Sequence, residues 1–270
     1  MDLNLKESLR SRLEVALEAC WRAGKITLEY FNTGVQVEIK SDDSPVTIAD
    51  RRAEEEIRRW LMRYFPDDAI VGEEGGGAMT TQANGATWYV DPIDGTKAFI
   101  SGVPFYGTLL ACEMGGRVML GVASFPALAE TVWAAHQAGC YWNGRRARVS
   151  EIKTLEEAVL LTTDFHRMNT MGHNAALDYL CRSTKLQRTW GDAYGHILVA
   201  TGRAEIMIDP KMAVWDNGPL LPILEEAGGR FTDWQGNATI HGDNALATNG
   251  HLHEVVKEIL NGKVGDREMR

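Results

Sequence analysis

Leu13, Leu17, Cys20, Gly24 and Leu28 recur at the three- and four-residue spacing of one helix face, which predicts an amphipathic helix over residues 6–31. Ala53, Ile57, Trp60, Leu61 and Tyr64 predict a second helix, stopped by Pro66. Apolar and alternating runs then predict strands over 69–71, 87–91, 107–114, 117–124, 131–135 and 139–142, with Gly115-Gly116 as a hairpin turn. Beyond Ser150 the pattern changes. Strands over 159–163, 189–190, 205–208, 229–232 and 245–248 alternate with helical stretches near 173–184, 193–202, 216–227 and 251–261. There is no repeat or low-complexity tract, and residues 151–157 are the one candidate seam. The pattern gives an α+β (mixed α/β) fold with more than one sheet, read as one domain over 1–270 divisible into lobes 1–150 and 151–270.

Composition narrows the function classes. The 270 residues are 44% hydrophobic and 24% charged, enough to build a sizeable core. A net charge of −9 argues against a nucleic-acid partner, whose phosphates need a basic face. It leaves room for an anionic substrate, because bound cations reverse the field of an acidic site. Cys20, Cys112, Cys140 and Cys181 are widely spaced and match neither a disulfide framework nor a zinc ribbon, so buried free thiols are expected. Residues 1–30 carry charges throughout without the apolar core of a signal peptide, and no stretch approaches the ~18 apolar residues of a membrane span. The expectation is a cytoplasmic protein with no membrane partner.

The chemistry gathers at the ends of apolar runs. In Trp88-Tyr89-Val90-Asp91-Pro92-Ile93-Asp94-Gly95-Thr96 a strand is expected to break at Pro92, leaving Asp91 and Asp94 three residues apart. Pro92 fixes the backbone and Gly95 permits an unusual one, so Asp91, Asp94 and the Ile93 carbonyl can converge on one point. Hard cations such as Mg²⁺ take this set of oxygen ligands. The Gly95 and Thr96 amides, opening a helix, would point at a bound anion. Asp91 and Asp94 can equally be turn or cap residues. Glu73-Glu74 ends another apolar run and precedes Gly75-Gly76-Gly77, or is a solvated strand end. Asp216, after Trp215, is also a good helix N-cap, and Thr47 with Asp50 matches a capping box.

Glu73-Glu74, Asp91-Pro92-Ile93-Asp94-Gly95-Thr96 and Trp215-Asp216 together resemble the three signatures of the inositol monophosphatase superfamily, in order and spacing, from about Lys40 to Gly229. Asn217-Gly218 departs from the small apolar residues commoner there, which touches only helix packing. The resemblance implies a layered α-β-α-β-α sandwich of the inositol monophosphatase/fructose bisphosphatase type, a homodimer, and two or three Mg²⁺ ions per subunit. By motif, Glu73, Asp91 and the Ile93 carbonyl would hold the first ion, and Asp91, Asp94 and Asp216 the second. Asp50, reached through Glu73 and water, would sit by a third. Gly95 and Thr96 would bind phosphate, and Thr96 with Asp50 or Glu73 would orient the attacking water. The reaction implied is hydrolysis of a small phosphate monoester, which is extremely slow unaided. One cation lowers the pKa of a bound water toward ~7 and another stabilises the leaving oxygen. No covalent intermediate is expected.

Two segments bear on the substrate. The stretch 97–108 and Thr189-Trp190-Gly191-Asp192-Ala193-Tyr194-Gly195-His196 are similar to the histidinol-phosphate phosphatase branch of the superfamily. Asp192 stands where inositol-specific members carry a small residue, and Asp209 matches another position near the substrate. Two carboxylates suit a cationic group such as the ammonium or imidazole of histidinol phosphate. Asp192 can also cap the helix beginning near Ala193, and Asp209 can be a turn residue before Pro210. Trp190 and Tyr194 could stack on an imidazole, although core packing is the default use. The pair His251/His253 reads as an exposed helix start, the role of His196 is open, and Lys40 either reaches the site or is solvated. The alternatives are an inositol-1-monophosphatase or broad-specificity phosphatase on the same machinery, and a non-enzymatic phosphate-binding protein.

Overall fold

A computed structural model describes residues 3–76 and 85–262; Gly77, last of the glycine run, lies outside them. The chain opens with α1 (Leu3–Tyr30) and a small hairpin of β1 (Val37–Ile39) and β2 (Pro45–Thr47), which leads into α2 (Ile48–Tyr64). The capping box forms as expected. The Thr47 hydroxyl accepts from the Ala49 N–H (3.0 Å), and Asp50 Oδ2 accepts from the Thr47 N–H (2.8 Å).

Next come β3 (Ala69–Gly72), β4 (Thr87–Asp94), the short α3 (Thr96–Ile100), β5 (Gly107–Met114), β6 (Arg117–Phe125), β7 (Glu130–Ala135), β8 (Gly139–Trp142) and β9 (Arg145–Arg146). These seven strands form one sheet in chain order, antiparallel except for the parallel β3–β4 pair. Gly115 and Gly116 both take positive φ at the β5–β6 turn, as a tight hairpin requires. The remaining elements are β10 (Val159–Thr162), α4 (Phe165–Thr170), α5 (Asn174–Ser183), β11 (Leu186–Arg188), α6 (Asp192–Ala200), β12 (Ile206–Asp209), α7 (Val214–Glu226), β13 (Arg230–Thr232), β14 (Ala245–Thr248) and α8 (His253–Leu260). Their strands make a second sheet in the order β11-β10-β12-β14-β13.

Alternation along the strands explains the layering. Leu110, Cys112, Leu120 and Val122 turn one face of the first sheet to Ala16, Ala19, Cys20 and Ala23 of α1 and to Ala53, Ile57 and Leu61 of α2. Leu109, Ala123, Phe125, Val132 and Ala134 turn the other face to α6 and α7. Those helices also meet Leu161, Met207, Ala245 and Ala247 of the second sheet. The intervening positions Leu160, Ile206, Ile208 and Leu246 face Leu177 and Leu180 of α5 and Val256, Ile259 and Leu260 of α8. The result is five layers, α-β-α-β-α, with both faces of each sheet covered by helices. Gly121 makes the central contact. A Cβ there would lie 2.3 Å from the Pro219 carbonyl oxygen, so glycine lets α7 rest on β6. Asn217 is buried, and its amide donates to the Ile240 (3.2 Å) and Gly242 (2.9 Å) carbonyls, tying that loop to α7.

One expected strand limit moves and one expected strand is absent. β4 does not break at Pro92 but runs on to Asp94, because a bulge between Asp91 and Asp94 absorbs the proline while Asp94 pairs with Gly107. The strand expected over 189–190 is absent. β11 stops at Arg188, and Thr189 and Trp190 are exposed with no sheet face to bury.

Candidate active site

Parallel pairing of β3 with β4 places two acidic strand ends side by side. The Glu73 N–H donates to the Val90 carbonyl (3.1 Å), which sets Glu73 beside Asp91. Asp91 is buried, and its Oδ1 accepts from the Ile93 N–H (3.0 Å), fixing the bulged turn. The Thr96 hydroxyl donates to the Ile93 carbonyl (3.0 Å). Gly95 sits at φ +74°, so the left-handed residue needed to turn β4 into α3 is supplied without strain. No side chain caps α3.

Asp94 caps a helix far away in the chain. Its Oδ2 accepts from the Ala193 N–H of α6 (2.8 Å). Asp216 arrives on the first turn of α7, where its Oδ2 accepts from the Ala213 N–H (2.8 Å). It is the third helical residue of that turn and not the N-cap expected from sequence; Ala213 holds that place. One oxygen from each of Asp91, Asp94 and Asp216 lies within 4.8 Å of the others. Asp50, on the first turn of α2, is buried close enough to Glu73 and Asp91 to perturb both its own titration and that of Asp91.

Electrostatics show what this cluster can bind. Burial, then repulsion from Glu73, Asp94 and Asp216, holds the Asp91 carboxyl well above the usual carboxylate range. Burial and then Asp192 and Asp216 do the same to Asp94, against the opposing Ala193 amide. Asp216 is pushed up to about 7, by burial first and then by Glu73 and Asp209. Carboxylates so arranged ionise together only when a cation joins them, and the donor set is all oxygen, as a hard divalent ion requires. The residues therefore fit a metal, held by Asp91, Asp94 and Asp216 with Glu73 beside them. The first turns of α2, α6 and α7 also converge here and add their positive ends.

Lys40 reaches the site. Its Nζ donates to Glu73 Oε1 (2.6 Å) and Glu74 Oε1 (2.8 Å). Burial lowers its pKa, but the hydrogen bonds to Glu73 and Glu74 outweigh this and the net shift is upward. Glu54 and Arg58 were not anticipated as part of the site. The buried Glu54 carboxylate accepts from the Glu74 (2.8 Å) and Gly75 (2.9 Å) amides, and Arg58 bonds it (2.6 Å) and the Ile70 carbonyl (3.3 Å). Together they clamp the loop that carries Glu73. The sequence signal was present: Asp50, Glu54 and Arg58 follow one another at four-residue steps, on one face of α2.

The second group of expected residues lies at the other side of Asp94. Asp192 adopts φ +53°, uncommon for a non-glycine residue, and its side chain makes no cap bond on α6. The capping use expected for it is thus overturned; Asp94 does that work by holding the Ala193 amide. Asp192 Oδ2 lies 3.1 Å from where a Gly95 Cβ would stand. Its carboxyl is raised to about 7 by burial, then by Asp209, with Lys97 opposing. Asp209 ends β12, buried, and accepts from the Thr163 hydroxyl (2.7 Å), so it is no exposed turn residue. His196 is fully buried with Nε2 3.7 Å from Asp209 Oδ2. Tyr194 is a core residue stacked on Phe105 at 5.0 Å. Trp190 departs from the packing expectation, being 37% exposed next to Gly191 and Asp192. His251 is exposed as expected, but His253 is buried between the Thr232 and Thr248 hydroxyls (3.0 and 3.1 Å), its pKa lowered to about 4 chiefly by burial. Cys20, Cys112 and Cys140 are buried free thiols, and Cys181 is partly buried. No helix among the described residues is long and apolar enough to cross a membrane.

An all-oxygen acidic cluster at strand ends and a helix start, in a five-layer sandwich, could hold a divalent metal. Residues 8–265 match the inositol monophosphatase family, and the chain belongs to that family. It is 42% identical over 254 residues to a histidinol-phosphatase of Chlorobaculum parvum, covering 93% of this chain and 97% of that protein. It is 38% identical over 255 residues to a histidinol-phosphatase of Mycobacterium tuberculosis, covering 92% and 97%. Among solved structures, the extragenic suppressor protein suhB of Bartonella henselae superposes with a TM-score of 0.88 at 28% identity, over 94% of this chain and 100% of that one. The chain is a phosphoric monoester hydrolase of that fold.

Proposed function

We propose that the protein hydrolyses L-histidinol phosphate to histidinol and phosphate. The observation that carries the reading is the pair Asp192 and Asp209 beside the cluster Asp91, Asp94 and Asp216. Burial, then the charge of the buried Asp209, raises the Asp192 carboxyl to about 7, and an ammonium or imidazolium of the substrate would supply compensating positive charge through charge-assisted hydrogen bonds. A neutral inositol ring gives no such compensation. The exposed ring of Trp190 adjoins the same end of α6. Relatives 42% and 38% identical that bear this activity support the reading.

Glu73, Asp91, the Ile93 carbonyl, Asp94 and Asp216 would hold divalent ions, which would supply the water activation and leaving-group neutralisation that monoester hydrolysis needs. The chain's own groups do the rest. Gly95 and Thr96 receive the phosphate at the uncapped start of α3. Thr96, with Glu73 and Asp50, orients the attacking water, and the Asp50 carboxyl is held above its usual range by burial. The reading also takes Mg²⁺ as the ion, two or three per subunit, a single-domain chain acting as a homodimer, and a cytoplasmic place in late histidine biosynthesis.

The test is phosphate release with Mg²⁺, comparing kcat/KM for L-histidinol phosphate and inositol-1-phosphate in the wild type and Asp192→Asn. A preference of ~100-fold or more that shrinks in the variant is expected, equal to about 2.7 kcal/mol of transition-state binding. Equal or reversed preference would overturn the substrate and leave an inositol or broad-specificity phosphatase.

A further inference from the structure

Thr163 follows β10 and touches both residues that set the substrate reading. Its hydroxyl donates to Asp209 Oδ2 (2.7 Å) and accepts from the Asp192 N–H (2.8 Å). A hydroxyl is the smallest group that can do both at once. For Asp209, buried at 4% exposure, this is the one hydrogen bond its carboxylate accepts among the described residues. On the other side of Asp209, the His196 ring is wholly buried with both nitrogens unpartnered and Nε2 at 3.7 Å.

The approach of the two chain segments is built in. A Cβ on Gly191 would stand 2.6 Å from Thr163 Cα and 2.8 Å from its Oγ1, so glycine is what lets the start of α6 reach β10. Asp192, which Thr163 holds, has left-handed φ (+53°), and such strain persists only where its surroundings fix it. One residue further on, the Ala193 amide holds Asp94.

We propose that Thr163 is a specificity-determining positioning residue: its hydroxyl locks the Asp209 carboxylate and the Asp192 backbone into the one arrangement in which the two acids jointly receive a cationic group of the phosphate ester. His196 backs Asp209 from within the core and limits where that carboxylate can turn. Without the hydroxyl, Asp209 loses its donor, Asp192 loses the acceptor that maintains its backbone, and the pair no longer matches a cation. The proposal rests on the reading that Asp192 and Asp209 recognise the substrate's cation.

The experiment measures kcat and KM for L-histidinol phosphate and inositol-1-phosphate at saturating Mg²⁺ in the wild type, Thr163→Val, Thr163→Ser, Asp192→Asn and Asp209→Asn. Val keeps the shape and removes the hydroxyl; Ser keeps the hydroxyl. The expected result is a fall of ~10-fold or more in the histidinol-to-inositol ratio of kcat/KM in T163V, mainly through KM, with T163S within about threefold of the wild type. Should T163V not fold, T163A reads the same ratio. A ratio unchanged in T163V, or lowered as much in T163S, would overturn the role of Thr163 while its fall in D192N or D209N kept the recognition reading. A wild type with no preference, or a preference surviving both Asp variants, would overturn the recognition reading and Thr163 with it.

Discussion

Asp94 joins two parts of the molecule. It shares the carboxylate cluster with Asp91 and Asp216, and it accepts the Ala193 amide that opens α6. Replacing it by Asn keeps an oxygen for that amide and removes a buried charge repelled by Asp192 and Asp216. Asp94→Asn should therefore lower metal-dependent kcat by ~10²–10³-fold or more, the scale of losing one preorganised electrostatic group. The melting temperature of the metal-free variant should match or exceed that of the wild type, since like-charge repulsion is relieved. Phosphate release and thermal melting check both; wild-type turnover would remove Asp94 from the metal site. Asp94 was legible in the sequence because Asp91 to Thr96 is one contiguous string whose geometry is local. Thr163 was not, because it acts on residues 29 and 46 positions away and such contacts leave no mark in spacing; for Glu54 the four-residue step from Asp50 marks its helix face but not the loop 20 residues on that it holds. Asp216 was legible as a ligand candidate but misplaced by three residues in its helix, because its carboxylate caps Ala213 from inside the first turn.

At the scale of elements, α2 supports the site more than it contributes to it. Its first turn holds Asp50, and one turn on Glu54 binds the two amides that follow Glu73. Glu54→Gln replaces the acceptor of those amides by a group with one acceptor oxygen and weakens the link to Arg58. The Mg²⁺ concentration for half-maximal activity should rise ~10–100-fold, as on losing support behind a metal ligand, with a smaller change in kcat at saturating Mg²⁺. An activity titration with Mg²⁺ decides this; an unchanged midpoint would mean that the loop holds Glu73 without Glu54. Strand positions in both sheets were largely readable because the central strands are buried on both faces and so run almost continuously apolar. Thr189 and Trp190 misled because a β-branched and an aromatic residue imitate a strand where the chain runs exposed. Pro92 misled in the opposite sense, since a bulge can carry a proline inside a strand.

The whole molecule carries a pH dependence that follows from the crowded acids. In metal-free protein the carboxyls of Asp192 and Asp216 titrate at about 7, and those of Asp91 and Asp94 also lie well above 3.8. Because the folded state binds these protons more tightly than the unfolded chain, their effect is neutral below the unfolded value. It becomes destabilising as pH rises from there through about 7. A divalent cation removes that penalty, and protons compete with it at low pH. The Mg²⁺-induced rise in Tm should therefore be small at pH 5.5 and grow by pH 8, as measured by melting with and without the ion. A rise independent of pH would contradict the cluster as the binding place. The five layers themselves could be inferred only through the resemblance carried by Glu73-Glu74, Asp91 to Thr96 and Trp215-Asp216. Periodicity shows which face of a strand is buried, not which helix buries it.

If the oxygen cluster of Glu73, Asp91, Asp94 and Asp216 holds the catalytic metal, hydrolysis of histidinol phosphate must depend on that metal. The most direct measurement is phosphate release from L-histidinol phosphate by chelator-treated protein, before and after Mg²⁺ is restored. The expected result is no turnover above background in chelator and saturable recovery with Mg²⁺. Turnover that persists in chelator, or none with Mg²⁺ restored to folded protein, would contradict it.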